Sequence, residues 1–306
     1  MKIFIDTAKV GEIREAISWG VVDGVTTNPT LIRKAIEEER SSGRDVELEA
    51  YVGEICETAG EGRPVSLEVL SQEADKMVEE AKVLYDRFNP IAENVVIKIP
   101  VNTRAGRIAS DYEGLKAIKE LSGMGIPVNA TLVMTPEQAL LASKAGATYV
   151  SPFAGRVDDF IRTNLGIGFE KGDYFDFELL KEIFDARLSE RLRDSLSRDV
   201  ASIFLDREVR KMRDIGGNNG IISGVEVTRK IVRIFREYGM KTKVIASSIR
   251  NARQVREVAE VGCDIATVPF KVLQEMLRHP KTEEGVERFY SDAIRAKYKE
   301  LFGNRS

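Results

Sequence analysis

The sequence predicts an α/β fold, a single closed (β/α)8 TIM barrel, and three observations lead there. Eight short β-rich runs recur along the chain. Amphipathic helical patterns separate them. The runs are nearly continuous in apolar and β-branched residues, as in strands covered on both faces. An open doubly wound sheet is the rival architecture, and the eightfold alternation favours the barrel. One domain is expected over 1–306, with a helical insertion at 159–220 between the sixth and seventh strands and a C-terminal helix at 283–302.

The elements follow in order. KIFIDT (2–7) is the first strand and 9–19 its helix. GVTTN (24–28) leads into helical patterns at 29–40 and 45–59, PVSLEVL (64–70) into 71–88, and NVVIKIPV (94–101) into 111–123. IPVNATLV (126–133) leads into 135–145, where Thr135-Pro136-Glu137 supplies an N-cap followed by Pro at the first helical position. TYVSPFAG (148–155) is the sixth strand. A helix at 225–239 precedes KVIASSI (243–249), which leads into 251–261, and DIATVPF (264–270) leads into 271–279. Gly146 and Gly262 stand where two of these helices should stop.

The stretch after the sixth strand breaks the alternation. Residues 170–214 are densely charged with both signs. Apolar residues recur every fourth position: Leu180, Phe184, Leu188, Leu192, Leu196, Val200 and Phe204. Steps of four drift by about 40° each around a straight helix, so a break or two helices are expected. Gly216, Gly217, Asn218, Asn219 and Gly220 then make a turn. The insertion reads either as a lid or interaction element or as added packing. In the tail, Val286, Phe289, Tyr290, Ile294, Tyr298 and Leu301 share one helical side, which must cover this barrel or a neighbour.

Composition narrows the chemistry. Lys plus Arg is 46 and Asp plus Glu is 49, a net charge of −3, which argues against nucleic-acid and anionic-membrane partners. No apolar run approaches the roughly 18 residues of a membrane span. The opening MKIFIDTAKV has no apolar signal core, so a cytoplasmic location is expected. Two cysteines, Cys56 and Cys263, cannot build a disulfide framework or a four-ligand metal site, and both read as buried packing. The one histidine, His279, reads as a structural helix-end residue. Chemistry must therefore come from Lys, Asp, Glu, Thr, Ser and Arg.

Barrel enzymes carry reactive groups at the C-terminal ends of their strands. The polar residues there are Asp6, Thr27, Asn28, Glu68, Lys98, Asn129, Thr131, Ser151, Ser248 and Arg250. Polar groups within apolar strands are costly unless paired or used. Lys98, within VVIKIPV, is the sharpest. Burial disfavours the charged form of an amine, and a neutral amine attacks carbonyls and forms Schiff bases. The structural alternative is a lysine that snorkels or pairs with Glu68. Asp6 and Glu68 are acid/base candidates, or else ion-pair partners. Arg156, Ser248 and Arg250 suit an anion, aided by the helix that begins near Asn251.

DGVTTNPTLI (23–32), VVIKIP (95–100), VNATLV (128–133), SPFAGRVDD (151–159) and ASSIRN (246–251) together resemble the transaldolase family, including its fructose-6-phosphate aldolase branch. The similarity covers about 1–159 and 221–300, all but the insertion. It implies a class I mechanism with no metal and no cofactor. Lys98 matches the Schiff-base lysine, Asp6 the aspartate acting on the hydroxyl beside the cleaved bond, and Glu68 with Thr131 the pair that holds the catalytic water. Asn28 and Asn129 match ligands of substrate hydroxyls, Ser151 lies beside the carbinolamine region, and Arg156, Ser248 and Arg250 match the phosphate site. Thr27 belongs to the first of these motifs. Glu68, Phe153 and Arg250 follow the transaldolase branch, whereas the aldolase branch has glutamine, tyrosine and lysine there.

The resemblance thus implies transfer of a dihydroxyacetone unit between sugar phosphates in the pentose phosphate pathway. It also implies a homo-oligomer, in which small members form rings through C-terminal helices. NTRAGRIASD (102–111) and the insertion depart from the family pattern at the mouth. The alternatives are an aldolase that frees dihydroxyacetone, a barrel aldolase of the deoxyribose-phosphate kind, and a non-catalytic oligomeric scaffold that recruits a partner through 159–220.

Overall fold

Eight parallel strands pair in chain order, and the eighth returns to the first to close a barrel. They are β1 (Lys2–Asp6), β2 (Gly24–Thr26), β3 (Val65–Glu68), β4 (Val95–Pro100), β5 (Val128–Val133), β6 (Tyr149–Pro152), β7 (Lys243–Ala246) and β8 (Ile265–Val268). The computed structural model describes residues 1–103, 111–193 and 199–302. Most of the 102–111 segment, and Leu196 of the apolar stripe, lie outside the described residues.

Helices fill the connections: α1 (Val10–Ser18), α2 (Pro29–Ser41), α3 (Leu48–Ala59), α4 (Ala74–Ala92), α5 (Glu113–Gly123), α6 (Pro136–Lys144) and α7 (Ala154–Asn164). The insertion adds α8 (Phe177–Arg193), α9 (Val200–Leu205) and α10 (Arg207–Arg213). Then come α11 (Gly224–Glu237), α12 (Ala252–Glu260), α13 (Phe270–Glu275) and α14 (Pro280–Arg295). Thr135 caps α6 with a reciprocal capping box through Gln138.

The apolar runs overshoot the ladders at their C-terminal ends, because residues after a strand stay buried while the chain turns towards its helix. The run 148–155 divides most sharply. β6 stops at Pro152 and α7 begins at Ala154, a helix absent from the sequence-based expectation. Gly155 explains why the motif needs glycine there. A Cβ on it would lie 2.1 Å from the Ser248 carbonyl oxygen and 2.4 Å from Arg250 Nε. The four-residue stripe breaks as its drift requires: Phe184, Leu188 and Leu192 are half-buried on α8, while Val200 and Phe204 on α9 are exposed.

Period-two alternation sorts every strand into an outer and an inner face. Outer residues such as Ile5, Val25, Leu67, Ile97, Ala130 and Ala246 pack under the helices in the main core. Inside, Phe4, Ile245 and Ile265 cluster with Tyr149 to plug the N-terminal half. Two residues further along the same faces stand Asp6, Ser151, Ser247 and Thr267. By the same alternation Thr26, Glu68, Lys98 and Asn129 join them, so the barrel interior is apolar below and polar at its C-terminal mouth.

Among the described residues α14 does not cover its own barrel, since Val286, Phe289 and Ile294 stay exposed. His279 caps this helix by accepting the Lys281 N–H, and Cys56 and Cys263 are buried. No helix among the described residues is long and apolar enough to cross a membrane.

Candidate active site

Lys98 stands at the centre of the polar layer. Its strand pairs it with Glu68 on one side and Asn129 on the other. The side chain is 7% exposed, and its Nζ lies 3.0 Å from Glu68 Oε2 and donates to the Thr27 carbonyl at 2.9 Å. The pairing with Glu68 is the geometry of the structural alternative named from the sequence. The lysine is buried, and at rest it pairs with Glu68.

The neighbours supply hydroxyl and amide groups. Ser151 Oγ donates to Asn129 Oδ1 at 2.7 Å, and Asn129 Nδ2 donates to Ser66 Oγ at 3.3 Å. Thr131 is wholly buried, yet its Oγ1 has no hydrogen-bond partner among the described residues. Register shifts between Ala130 and Val133, and Leu132 takes φ 57°, a left-handed conformation uncommon outside glycine. Such a bulge re-aims a side chain at a barrel rim. A buried hydroxyl with no protein partner is a site for water or substrate.

Asp6 ends β1 and accepts from Thr26 Oγ1 at 2.8 Å. Thr26 Oγ1 lies 2.5 Å from Thr267 Oγ1, so three side chains from β1, β2 and β8 form a hydroxyl chain that ends on the carboxylate. Burial raises the Asp6 pKa, opposed by the Thr26 hydrogen bond and by the charges of Lys98, Lys171 and Arg250.

Thr27 enters the site differently from the expectation. Its hydroxyl donates outward to the Ser66 carbonyl at 2.7 Å, and only its carbonyl reaches Lys98. Adjacent strand residues face opposite ways, so Thr26 is the one with its hydroxyl inside. Asn28 caps α2, its Oδ1 accepting from Leu31 N at 3.0 Å, which leaves the amide NH2 as the group able to meet a ligand.

The anion candidates gather where β6 and β7 end. Ala154 N donates to Ser247 O and Ser247 N to Pro152 O, which holds the 151–156 and 247–250 segments side by side. Ser248 takes φ 60° between them. Arg156 is exposed and its guanidinium lies 5.2 Å from the centre of the Phe153 ring. Arg250 is not an idle cation. Its guanidinium donates to Asp159 Oδ2 at 2.7 Å, and its Nε is buried without a partner among the described residues.

The adjacent Asp158 is buried. It accepts from Gly224 N at 2.7 Å and from Gln254 Nε2 at 2.8 Å, and Gln254 Oε1 accepts from Arg250 N at 2.9 Å. Burial pushes the Asp158 carboxyl up to about 7, against the pull of the Gly224 N–H and of Arg162. Burial likewise raises the Cys56 thiol to about 12 and the Cys263 thiol to about 11, so neither is a nucleophile at neutral pH.

A family model described as Transaldolase/Fructose-6-phosphate aldolase matches residues 3–173 and 174–304. The chain belongs to this family. A probable transaldolase of Caldicellulosiruptor saccharolyticus is 42% identical over 293 residues, covering 95% of this chain and 96% of the relative. Probable transaldolases of Clostridium tetani and Petrotoga mobilis are each 39% identical, covering 95% of this chain and 97% and 94% of the relatives. The match makes this chain an enzyme of the transaldolase/aldolase type and joins the fold to a chemistry.

Sequence reading named Lys98, Asp6 and Glu68, which the structure gathers in the polar layer, and the anion candidates Arg156, Ser248 and Arg250, which lie where β6 and β7 end. It missed Thr26, Thr267 and Asp159. Thr26 faces the interior, but only the pairing register of Asp6 with it, absent from the sequence, distinguishes it from Thr27. Asp159 was visible in the quoted SPFAGRVDD motif but had no sequence signal for its partner, 91 residues away.

Proposed function

We propose that the chain is a transaldolase that moves a dihydroxyacetone unit from a ketose phosphate, such as fructose 6-phosphate or sedoheptulose 7-phosphate, to an aldose phosphate. The reaction runs through a Schiff base on Lys98. The observation that carries this reading is the Lys98 amine, buried in the barrel mouth 3.0 Å from the Glu68 carboxylate.

Glu68 takes a proton from the Lys98 ammonium, and the neutral amine adds to the substrate ketone, its surplus proton passing to the new alkoxide to give the carbinolamine. The protonated Glu68 then returns its proton to the carbinolamine hydroxyl, which leaves as water and gives the iminium. Thr131 Oγ1 holds this water beside Glu68. Asp6 removes the proton of the C4 hydroxyl while the C3–C4 bond breaks, and the bond's electrons pass into the iminium to give an enamine. Burial, by raising the Asp6 pKa, strengthens it as a base for that step. An aldose phosphate leaves and another enters. The enamine attacks its aldehyde, Asp6 returns the proton to the new hydroxyl, and water releases the longer ketose.

Asn28, Asn129 and Ser151 hold substrate hydroxyls, and Arg156, Ser248 and Arg250 hold the phosphate. Phe153 supports transfer over simple cleavage. An apolar ring at that point gives the enamine no proton, so it waits for an acceptor. The transaldolase family resemblance supports a place in the pentose phosphate pathway, the absence of an apolar signal core supports the cytoplasm, and the exposed apolar face of α14 supports a homo-oligomer.

Borohydride trapping with fructose 6-phosphate, followed by peptide mass spectrometry, tests the mechanism. A reduced three-carbon adduct on Lys98, lost in Lys98→Met, is expected. An adduct on another lysine, or activity retained by Lys98→Met, overturns it. Product analysis without an acceptor separates the readings. Steady accumulation of free dihydroxyacetone makes the enzyme an aldolase, and absence of turnover on every phosphorylated ketose favours a scaffold.

A further inference from the structure

The insertion does not begin as a detached arm. Residues 165–177 fold back on the barrel mouth before α8 starts. Arg162, 3% exposed, is the anchor. Its guanidinium lies 4.8 Å from the Phe169 ring centre and 5.1 Å from that of Phe175, and it donates to the Asp173 carbonyl at 2.9 Å.

Between those two phenylalanines the chain makes a tight turn. Asp173 N donates to Glu170 O at 3.0 Å, and Glu170 N donates to Asp173 Oδ2 at 2.6 Å. The turn is also tied to the site itself, because Asn251 Nδ2 donates to the Gly172 carbonyl at 3.3 Å. Asn251 follows Arg250 directly and caps α12.

The residue at the tip of this turn, before Gly172, is Lys171. It is exposed, with no ion-pair partner among the described residues. The bond from Asn251, which adjoins Arg250, to the Gly172 carbonyl places Lys171 at the rim beside Arg250, and the positive charges of both pull the Asp6 carboxyl down. Lys171 therefore stands on the same rim of the barrel as Arg250.

We propose that Lys171, carried over the barrel mouth by the 165–177 segment of the insertion, is a further cation of the phosphate site and helps select phosphorylated over unphosphorylated sugars. The proposal rests on the phosphate assignment of Arg156, Ser248 and Arg250 given above. It assigns the start of the insertion a part in substrate selection and leaves α8 to α10 outside it. A lysine suits this place. Its ammonium is a compact charge on a flexible stem, able to follow the phosphate of ketoses that differ in length, whereas Arg250 is fixed by its partners.

Calorimetric binding of fructose 6-phosphate and of inorganic phosphate tests this without requiring turnover. Parent enzyme, Lys171→Met, Lys171→Arg and Arg250→Met are compared at low and high salt. An exposed lysine that meets a phosphate at a wet rim contributes about three- to tenfold in affinity at low salt. Lys171→Met should lose that factor for both probes, Lys171→Arg should restore most of it, and high salt should shrink the difference. With fructose 6-phosphate as donor, the loss should fall on KM rather than kcat.

Two results overturn the proposal in distinguishable ways. If Arg250→Met weakens both probes and Lys171→Met weakens neither, the phosphate site stands without Lys171. If neither variant alters the binding of either probe, the phosphate assignment itself falls.

Discussion

Asp158→Asn gives the sharpest energetic test of how the mouth is held together. The carboxyl is 5% exposed and its pKa is raised from 3.8 to about 7, chiefly by burial. A carboxyl whose folded pKa lies above its unfolded value binds its proton more tightly in the folded state. Its stabilising contribution is fully present below about pH 4, where both states are protonated, and is lost as pH rises through about 7, where the folded group must ionise. Each unit of that rise is worth about 1.4 kcal/mol, so stability falls by about 4 kcal/mol across the window.

Asparagine keeps an acceptor for the Gly224 N–H and does not titrate. Its second group is an NH2 facing the Gln254 NH2, which removes one hydrogen bond and gives an offset that does not vary with pH. Urea unfolding of parent and variant at several pH values between 4 and 8 isolates the titrating part as the change in their difference. The variant should gain about 4 kcal/mol relative to the parent from the acid end to the alkaline end. A difference that stays constant, or that moves the other way, would refute the reasoning. It would show that two hydrogen-bond donors and Arg162 outweigh desolvation and hold the carboxylate at or below its ordinary range.

Three further outcomes follow from the geometry. Thr131→Val should lower kcat by about 10²-fold or more in steady-state assays while leaving the urea midpoint unchanged or slightly raised, since the lost hydroxyl has no protein partner among the described residues. Thr267→Val should cut the hydroxyl chain to Asp6, lower kcat and move the acid limb of the kcat–pH profile, with Thr267→Ser restoring both; an unmoved limb makes the chain purely structural. Gly155→Ala should displace the Ser248 carbonyl and Arg250, costing about 1–3 kcal/mol in denaturant unfolding and raising KM for phosphorylated donors more than for unphosphorylated ones.

The barrel was legible because strand-helix alternation and strands apolar on both faces leave few architectures open. The site was legible where one chemical group is expensive inside an apolar run. Lys98 stands out in VVIKIPV on that ground alone. What stayed hidden depends on direction or distance. Thr26 and Thr27 are identical in type and adjacent, and only the register of β1 against β2 says which hydroxyl faces Asp6. Thr267 lies 241 residues from Thr26 and becomes its neighbour only when β8 closes on β1. The helix α7 was hidden because SPFAG is as apolar as a strand end, although Pro152 and Gly155 mark the place where a ladder stops and a helix packs closely. In the insertion the four-residue drift forecast broken helices, but nothing in the pattern could say that Arg162 would draw Phe169 and Phe175 onto the mouth.

The pairing of Arg250 with Asp159 bears on which anion the mouth accepts. A bare arginine beside a cavity would attract any anion. Here the guanidinium already has a carboxylate at 2.7 Å, partly shielded from water, and an incoming group must do better than that carboxylate to gain from it. A sugar acid offers one charge and two oxygens, which exchanges like for like and leaves Asp159 without its main partner. A phosphate monoester carries a charge of about −1.5 to −2 and three acceptor oxygens. Under the proposed assignment it would share the Arg250 guanidinium with Asp159 and meet the Ser248 hydroxyl. On that phosphate assignment, Asp159 would hold Arg250 in place and raise the threshold that weaker anions must cross. On the same assignment, selectivity at this end of the barrel would come from a cation already paired with a carboxylate, which the more highly charged ligand gains more by sharing.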